Sequence, residues 1–416
     1  MTTTIDDPRL ATDATDAVDG GVAARRRTAG LALLALATGA FAIGTTEFVS
    51  MGLLPQLAAG VGVDIPTAGH VISAYAVGVV VGAPVLAVLG ARLPRRGLLL
   101  SLMGVILVGN LLTALAPGYG TLMGARFVAG LPHGAFFGVA ALVAADLVSP
   151  KRRAQAVSLV MTGLTVATLL GVPAATWLGQ GLGWRAAYGL VVGLVLLTLV
   201  MLALFVPRLP ADRGASGRTE LRALKEPQVL LTALAGAIGF GGMFSIYTYI
   251  APTVTEVAGQ GEGFVPFYLL AFGLGSVSGT LVGGRLADWS ILRSTVLGAA
   301  AMGVLLATYA VTSQWLVAGM LTVFLISVSG GVFTIGLQMR LIQVAGRART
   351  LGAALNHSAL NAANALGAWL GGVVVAAGLG YPATAWLGVG LSVLGLVVLG
   401  ISVALQRRTS LAAAAA

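Results

Sequence analysis

The chain has 416 residues, of which 57% are hydrophobic and only 9% charged. Soluble domains carry about 25% charged and about 45–50% apolar residues, so lipid is the main solvent expected for this sequence. Cysteine is absent, which excludes disulfides, thiolate catalysis and cysteine-based metal sites.

Residues 1–27 hold Asp6, Asp7, Asp13, Asp16 and Asp19 among small polar residues and read as a disordered cytoplasmic tail. Arg25, Arg26 and Arg27 then precede an apolar run longer than a secretion signal, with eleven more behind it, so a retained first span is expected. Crossing the bilayer core takes about 20 apolar residues. Twelve stretches meet that need: 28–51, 68–90, 97–116, 121–147, 156–180, 185–206, 228–251, 264–287, 294–312, 315–338, 350–377 and 382–405. Short loops rich in Pro, Gly and charge separate them. The expected division is a six-span bundle over 28–207, a cytoplasmic linker over 208–227, a second six-span bundle over 228–405 and a tail over 406–416. The 59 glycines suit helices in close contact.

The net charge of +10 is distributed by topology. With the N-terminus in the cytoplasm, Arg92, Arg95, Arg96, Lys151, Arg152 and Arg153 fall in inner loops of the first half. Arg208, Arg213, Arg218, Arg222 and Lys225 fall in the central linker. Arg285, Arg293, Arg340, Arg347, Arg349, Arg407 and Arg408 follow the same rule, and Arg126 and Arg185 are the exceptions. This positive-inside pattern places both termini in the cytoplasm. It accounts for the basic balance through topology and anionic lipid, so no nucleic-acid partner is expected.

An internal repeat is legible in three loops. Ala87–Arg96 and Gly284–Arg293 both follow the second span of a half, 197 residues apart. Arg153 and Arg349 precede the fifth span of each half, 196 apart, and Gly183-Trp184 and Gly380-Tyr381 precede the sixth, 197 apart. Two parallel six-span halves follow, giving an all-α integral membrane fold with pseudo-symmetric bundles.

Ionisable groups inside spans cost about 2.5–3.5 kcal/mol on insertion scales and are functional candidates. Glu47, in the outer half of the first span, is the one carboxylate well inside a span away from a loop motif. Burial disfavours the charged form of a carboxyl, so Glu47 is a candidate proton carrier; a structural ion pair is the alternative. Arg126, in the outer half of the fourth span, has a depth compatible with facing Glu47, or else packs against backbone carbonyls. His133, seven residues on, shares its helix face and is a candidate relay or substrate ligand, or a partner of the Pro132 kink.

In the eleventh span His357, Asn361 and Asn364 form a polar stripe, flanked by Asn356 and Ser358, that lines a substrate path or joins helices. Tyr247, Tyr249, Phe244 and Phe240 in the seventh span offer stacking surfaces, or packing, and Gln338 in the tenth is a further candidate. Pro132, Gly171 and Pro173 loosen helices that would bend during access switching. No Walker loop, HExxH or metal-ligand cluster occurs, so neither ATP, a metal nor another cofactor is expected.

Four elements resemble the major facilitator superfamily. The loop between spans 2 and 3 keeps Arg92, Arg95 and Arg96 of that family's G-x-x-x-D-R-x-G-R-R pattern but has Ala87, Ala91 and Pro94 at its Gly and Asp positions; the second-half copy keeps Gly284, Asp288 and Arg293. Arg126 and Gly130 resemble its R-x-x-x-G element. Gly171-Val172-Pro173 with Gly183-Trp184-Arg185 is similar to the antiporter fifth span, with Val172 interrupting the Gly-Pro pair. Gly44-Thr45-Thr46-Glu47-Phe48 with Gly52-Leu53-Leu54-Pro55 looks like the first span of twelve-span drug:proton antiporters, among them bacterial exporters of chloramphenicol, arabinose or purine nucleosides.

The resemblance implies proton-coupled export of a small organic molecule by alternating access. Its gating elements would be Arg92, Arg96, Asp288, Arg293, Gly171 and Pro173, with Asp288 carrying the charge that Ala91 lacks. The partners expected are a small-molecule substrate, protons and the bilayer, acting on a monomer. A facilitator or importer is the runner-up. A membrane-embedded enzyme or receptor would need clustered catalytic residues or an extramembrane domain, and neither is present.

Overall fold

The computed structural model describes residues 8–90, 93–208, 226–346 and 349–415. Among the described residues twelve helices are long and apolar enough to cross a membrane. In the first half they are α1 (Thr28–Gly52), α2 (Ile65–Ala83), α3 (Arg95–Ala114), α4 (Tyr119–Asp146), α5 (Pro150–Leu182) and α6 (Trp184–Phe205). In the second they are α7 (Pro227–Thr248), α8 (Glu262–Trp289), α9 (Ile291–Thr312), α10 (Leu316–Val344), α11 (Leu355–Ala376) and α12 (Ala383–Arg407). All twelve overlap the expected spans, most within a few residues. At α5 the helical turns begin earlier than expected, at Pro150, because Pro150–Arg152 is itself wound into a turn. α1 is the end of a helix that starts at Pro8. Residues 8–27, expected as a disordered tail, extend it upstream, where an alanine-rich sequence favours helix.

Short connections make successive spans antiparallel. One end of the molecule, the near face, carries the ends of α1 and α12 that lead to the termini, and the other, the far face, carries loops such as Leu53–Asp64 and Ala377–Pro382. Leu34, Val108, Trp177, Leu204, Val304 and Val317 are exposed on the outer wall. This is the surface expected where lipid tails replace water.

The spans are not uniform rods. α4 is divided at Leu131-Pro132 into Tyr119–Gly130 and His133–Asp146, since Pro132 offers no backbone N–H to the helix ladder. α5 contains a π-helical turn over Ala167–Gly171 before the helix resumes at Val172 with Pro173 in its first turn. Such turns are local insertions that bend a helix. Gly171 and Pro173, two of the three loosening residues of the sequence pattern, therefore sit at or just after an irregular turn.

Glycine decides how closely the helices meet. A Cβ on Gly78 or Gly82 of α2 would lie 2.3 Å from the Phe127 carbonyl oxygen and 2.0 Å from that of Leu131, both on α4. In the second half a Cβ on Gly275 or Gly279 of α8 would lie 2.4 Å and 2.3 Å from the Phe324 and Val328 carbonyl oxygens of α10. Each α8 glycine stands 197 residues after its α2 counterpart, the same offset as in the loops. The duplication thus extends to the helix seams.

The halves join toward the far face. Gln56 donates to Glu262 Oε2 at 2.8 Å, Gln180 donates to the Glu262 main-chain oxygen at 2.9 Å, and Ser73 donates to the Ala365 carbonyl at 3.0 Å. Beneath these bonds one apolar cluster combines Met51, Leu54, Ala68, Ile72 and Val172 with Tyr249, Ile250, Val254 and Leu269 of the other half. At the near face, among the described residues, Arg95 pairs with Asp146, Arg96 donates to the Ala203 carbonyl, and Arg340 donates to Gln406 Oε1 at 3.1 Å.

Candidate functional site

The polar residues of the first half converge between α1, α2, α3, α4 and α6. Arg126 is fully buried and faces α1, but Glu47 is not its hydrogen-bond partner. Nη1 donates to Thr46 Oγ1 at 3.0 Å and Nη2 to the Thr46 carbonyl at 2.9 Å. Thr46 Oγ1 in turn bonds Asn110 Oδ1 of α3. Aromatic faces close around the guanidinium: its carbon lies 4.4 Å from the Tyr75 ring centroid and 5.5 Å from that of Tyr188. A desolvated cation–π contact is worth about 2 kcal/mol, so Arg126 is held by α1, α2 and α6 at once.

Glu47 is 5% exposed. Its closest ionic neighbour is His133, whose Nδ1 lies 3.9 Å from Oε2. The same Nδ1 is 3.1 Å from the Tyr75 hydroxyl. The Arg126–His133 spacing thus delivers both side chains to one site, one on each side of the Pro132 break. His133 packs against Phe137 at 5.2 Å, and Phe137 stacks on His357 of α11 at 5.8 Å and 7°. His357 therefore joins the first-half cluster from across the seam.

The second half contributes aromatics. Phe48, next to Glu47, lies 6.3 Å from Phe244 and 6.0 Å from Tyr247. Tyr247 stacks on Phe272 of α8 at 3.8 Å, and its buried hydroxyl has no hydrogen-bond partner. On α11 the Asn361 amide donates to the His357 carbonyl at 3.0 Å, leaving Asn361 Oδ1 and both amide atoms of the buried Asn364 unpartnered. Buried polar atoms are paired in most proteins, so these open valences suit a polar ligand.

Other expected residues lie apart. The Tyr249 hydroxyl donates to the Ala368 carbonyl at 2.9 Å, and its ring fills the space beside Gly371, within the far-face seal. Gln338 is half-buried on α10 and joins none of these contacts. Gly171 abuts Thr45 and Phe41 of α1, where a Cβ would lie 2.4 Å from Thr45 Oγ1, so Gly171 and Pro173 shape the approach of α5 to the helix bearing Glu47. Arg92 lies outside the described residues. Arg96 reaches the Ala203 carbonyl of α6. Asp288 is exposed and forms no ion pair with Arg293, whose guanidinium stacks over Trp289 at 5.1 Å.

Sequence reasoning missed Tyr75, Tyr188, Asn110, Phe137, Phe48 and Phe272, all apolar-looking or neutral residues with no local signature. It also missed Asp146, which pairs with Arg95 from the end of α4. The sole available hint was that Asp146 ends a span beside a basic loop. A cavity of about 450 Å³ opens on the flank between α2, α4 and α11, lined among others by His70, Ser73, Val77, Phe127 and Trp369. None of the Glu47 cluster lines it.

Two six-helix halves around a buried polar and aromatic centre, with helices interrupted beside it, define a membrane transporter of small molecules. The chain belongs to the major facilitator superfamily: that family's profile matches residues 36–346. It is 42% identical over 381 residues to the inner membrane transport protein YdhP of Escherichia coli K12, covering 91% of this chain and 97% of that one. It is 35% identical to the putative transporter AraJ of the same organism, over 84% of this chain and 89% of that protein. It is 38% identical over 262 residues to a chloramphenicol resistance protein of Streptomyces lividans, covering 62% of this chain and 67% of that one. Among solved structures the fold is similar to the E. coli xylose transporter XylE in a partially occluded inward open conformation. The TM-score is 0.69 at 16% identity, covering 89% of this chain and 96% of that one.

Proposed function

We propose that the protein exports small organic molecules across the bacterial inner membrane in exchange for protons, with Glu47 as the coupling acid. The observation that carries this reading is the environment of that carboxylate. It is buried beside an arginine already committed to Thr46 and a histidine 3.9 Å away, so its charge is not locked into a close ion pair. An acid so placed can gain and lose a proton as water reaches it from alternate faces. The positive-inside pattern supports a cytoplasmic near face and cytoplasmic termini, and in this reading the far-face seal corresponds to an inward-facing state.

The substrate site in this reading lies between the halves. Phe48, Phe244 and Tyr247 provide apolar faces, while Asn361, Asn364 and His357 supply hydrogen bonds. A neutral amphipathic molecule fits that lining, and the chloramphenicol resistance protein among the relatives supports an antibiotic of this kind. A proton moving down a force of about 200 mV releases roughly 4.6 kcal/mol. At about 1.4 kcal/mol per tenfold, this sustains a gradient on the order of a thousandfold.

The test is Glu47→Gln in proteoliposomes with an imposed pH gradient, using radiolabelled chloramphenicol, arabinose and a purine nucleoside as probes. Loss of proton-driven accumulation in the variant, with the gradient-independent exchange retained, is expected. Undiminished proton-driven transport by Glu47→Gln rejects the assignment, and uptake in the reverse direction would make the protein an importer.

A further inference from the structure

His133 has a single Nδ1, and two groups face it. The Tyr75 hydroxyl is 3.1 Å away and Glu47 Oε2 is 3.9 Å away. A neutral imidazole carries one ring proton, so Nδ1 is either a donor or an acceptor. At neutral pH a phenol retains its proton and can donate it, and the guanidinium of Arg126 above the Tyr75 ring draws electron density from the phenol and favours donation.

We propose that Tyr75 is a positioning residue for the coupling acid: its hydroxyl holds His133 in the tautomer whose Nδ1 is bare, which keeps the imidazole from donating a hydrogen bond to Glu47. This inference rests on the reading of Glu47 given above. In the arrangement proposed, Tyr75 O–H donates to Nδ1, the ring proton sits on Nε2, and the lone pair at Nδ1 is spent on the phenol. In the alternative, Nδ1 carries the ring proton and donates to the ionised carboxylate, while the phenol turns away. The ring holds one proton in both cases. Passing between them exchanges it through water from Nε2 to Nδ1, with no net uptake or release by histidine. The proton that counts is the one Glu47 gains or loses.

The charged and titratable groups around this exchange come from six helices: Glu47 from α1, Tyr75 from α2, Arg126 and His133 from α4, Tyr188 from α6, Tyr247 from α7 and His357 from α11. Among the groups that contact His133, Tyr75 is the one that competes directly for Nδ1. Its place is set by the α2–α4 seam, where a Cβ on Gly130 would lie 2.1 Å from the Tyr75 carbonyl oxygen. Movement of α2 against α4 during access switching would therefore lengthen or restore the Tyr75–His133 bond and bias the carboxylate accordingly.

The experiment is a pH titration of the protonated-carboxyl infrared band in the full chain reconstituted in lipid, taken as the difference from Glu47→Gln so that only Glu47 reports. Tyr75→Phe is expected to move the midpoint to lower pH by about 0.7 unit, roughly fivefold in proton concentration, the size of one hydrogen bond. The same change made in a His133→Gln background should produce no such shift, because the imidazole it acts through is gone. A purely packing role for Tyr75 would lower thermal stability and leave the midpoint where it was, and that result overturns the proposal. So would an equal shift in both backgrounds. If Tyr75→Phe does not fold, His133→Gln alone still decides: Nδ1 is spent on the phenol in the proposed arrangement, so this variant must leave the midpoint within about 0.3 unit, and a large upward shift would show that His133 was already donating to Glu47. Failure of the functional reading looks different, because Glu47→Gln would then transport normally whatever Tyr75 does.

Discussion

Gly130→Ala places one methyl group where α2 and α4 touch. The new Cβ would lie 2.1 Å from the Tyr75 carbonyl oxygen and 3.2 Å from the Val79 nitrogen. Carbon–oxygen contacts below about 3 Å do not persist at packed density, so the helices must separate by about 0.9 Å locally. The obstructing atom is backbone and has no rotamer through which to escape. Such a separation stretches the Tyr75–His133 contact from 3.1 Å to about 4 Å, beyond hydrogen-bonding distance. Overpacking costs about 1–3 kcal/mol and the lost bond about 1 kcal/mol, against a gain of up to about 1 kcal/mol from alanine's helix propensity. The net expectation is a destabilisation of about 1–3 kcal/mol, read as a lowered thermal midpoint of the full chain in detergent, together with an acid shift of the Glu47 infrared midpoint. Gly138→Ala on the same span meets nothing within 4 Å and isolates the propensity term, so it should be neutral or slightly stabilising. If Gly130→Ala matches Gly138→Ala in thermal midpoint and in titration, the close α2–α4 seam and its control of Tyr75 are both refuted.

Arg126→Lys keeps the charge but not the planar fork. It should lose one of the two bonds to Thr46 and most of the contact with Tyr75 and Tyr188, costing about 2–4 kcal/mol in stability and reducing proton-driven transport at least tenfold. Wild-type transport by this variant would show that charge alone suffices. At the far face, Asp64 Oδ1 accepts the Thr67 backbone N–H at 2.9 Å at the start of α2, and hydrogen bonding by Thr67, side chain first and then backbone, holds this exposed carboxyl below its usual range. A depressed carboxyl stabilises the fold above its unfolded value and loses that contribution as pH falls through the folded one. Asp64→Ala should therefore cost about 1 kcal/mol at pH 7, the usual size of a helix cap. The difference from wild type should narrow as the pH falls through the lowered range of this carboxyl; a gap that stays constant on acidification would mean that the ionised cap is not the cause.

The candidate site was legible where chemistry is rare along the chain. Glu47, Arg126, His133 and His357 stood out because an ionisable side chain in an apolar run is costly, and all four meet in one cluster. Their partners were not legible. Tyr75, Tyr188 and Phe48 look like ordinary packing residues, and Asn110 lies in a third helix with no motif around it. The sequence also suggested that Arg126 faces Glu47, which depth alone cannot decide. The structure instead joins Arg126 to Thr46, one residue earlier, because a helix turns about 100° per residue and adjacent positions face different neighbours. Tyr249 failed to reach the cluster for the same reason: two residues from Tyr247, it turns into the far-face seal.

Hydropathy and the 197-residue offset were enough to establish twelve spans, two halves and their relation, since hydropathy is read against the bilayer's thickness and the offset along the chain itself. The depth of Glu47 followed as well, because position along a span is distance along the membrane normal. Which side chains meet across the interior was decided only in three dimensions. That depends on helix rotation and on the approach allowed by Gly78, Gly82 and Gly130, quantities set jointly by residues far apart in sequence.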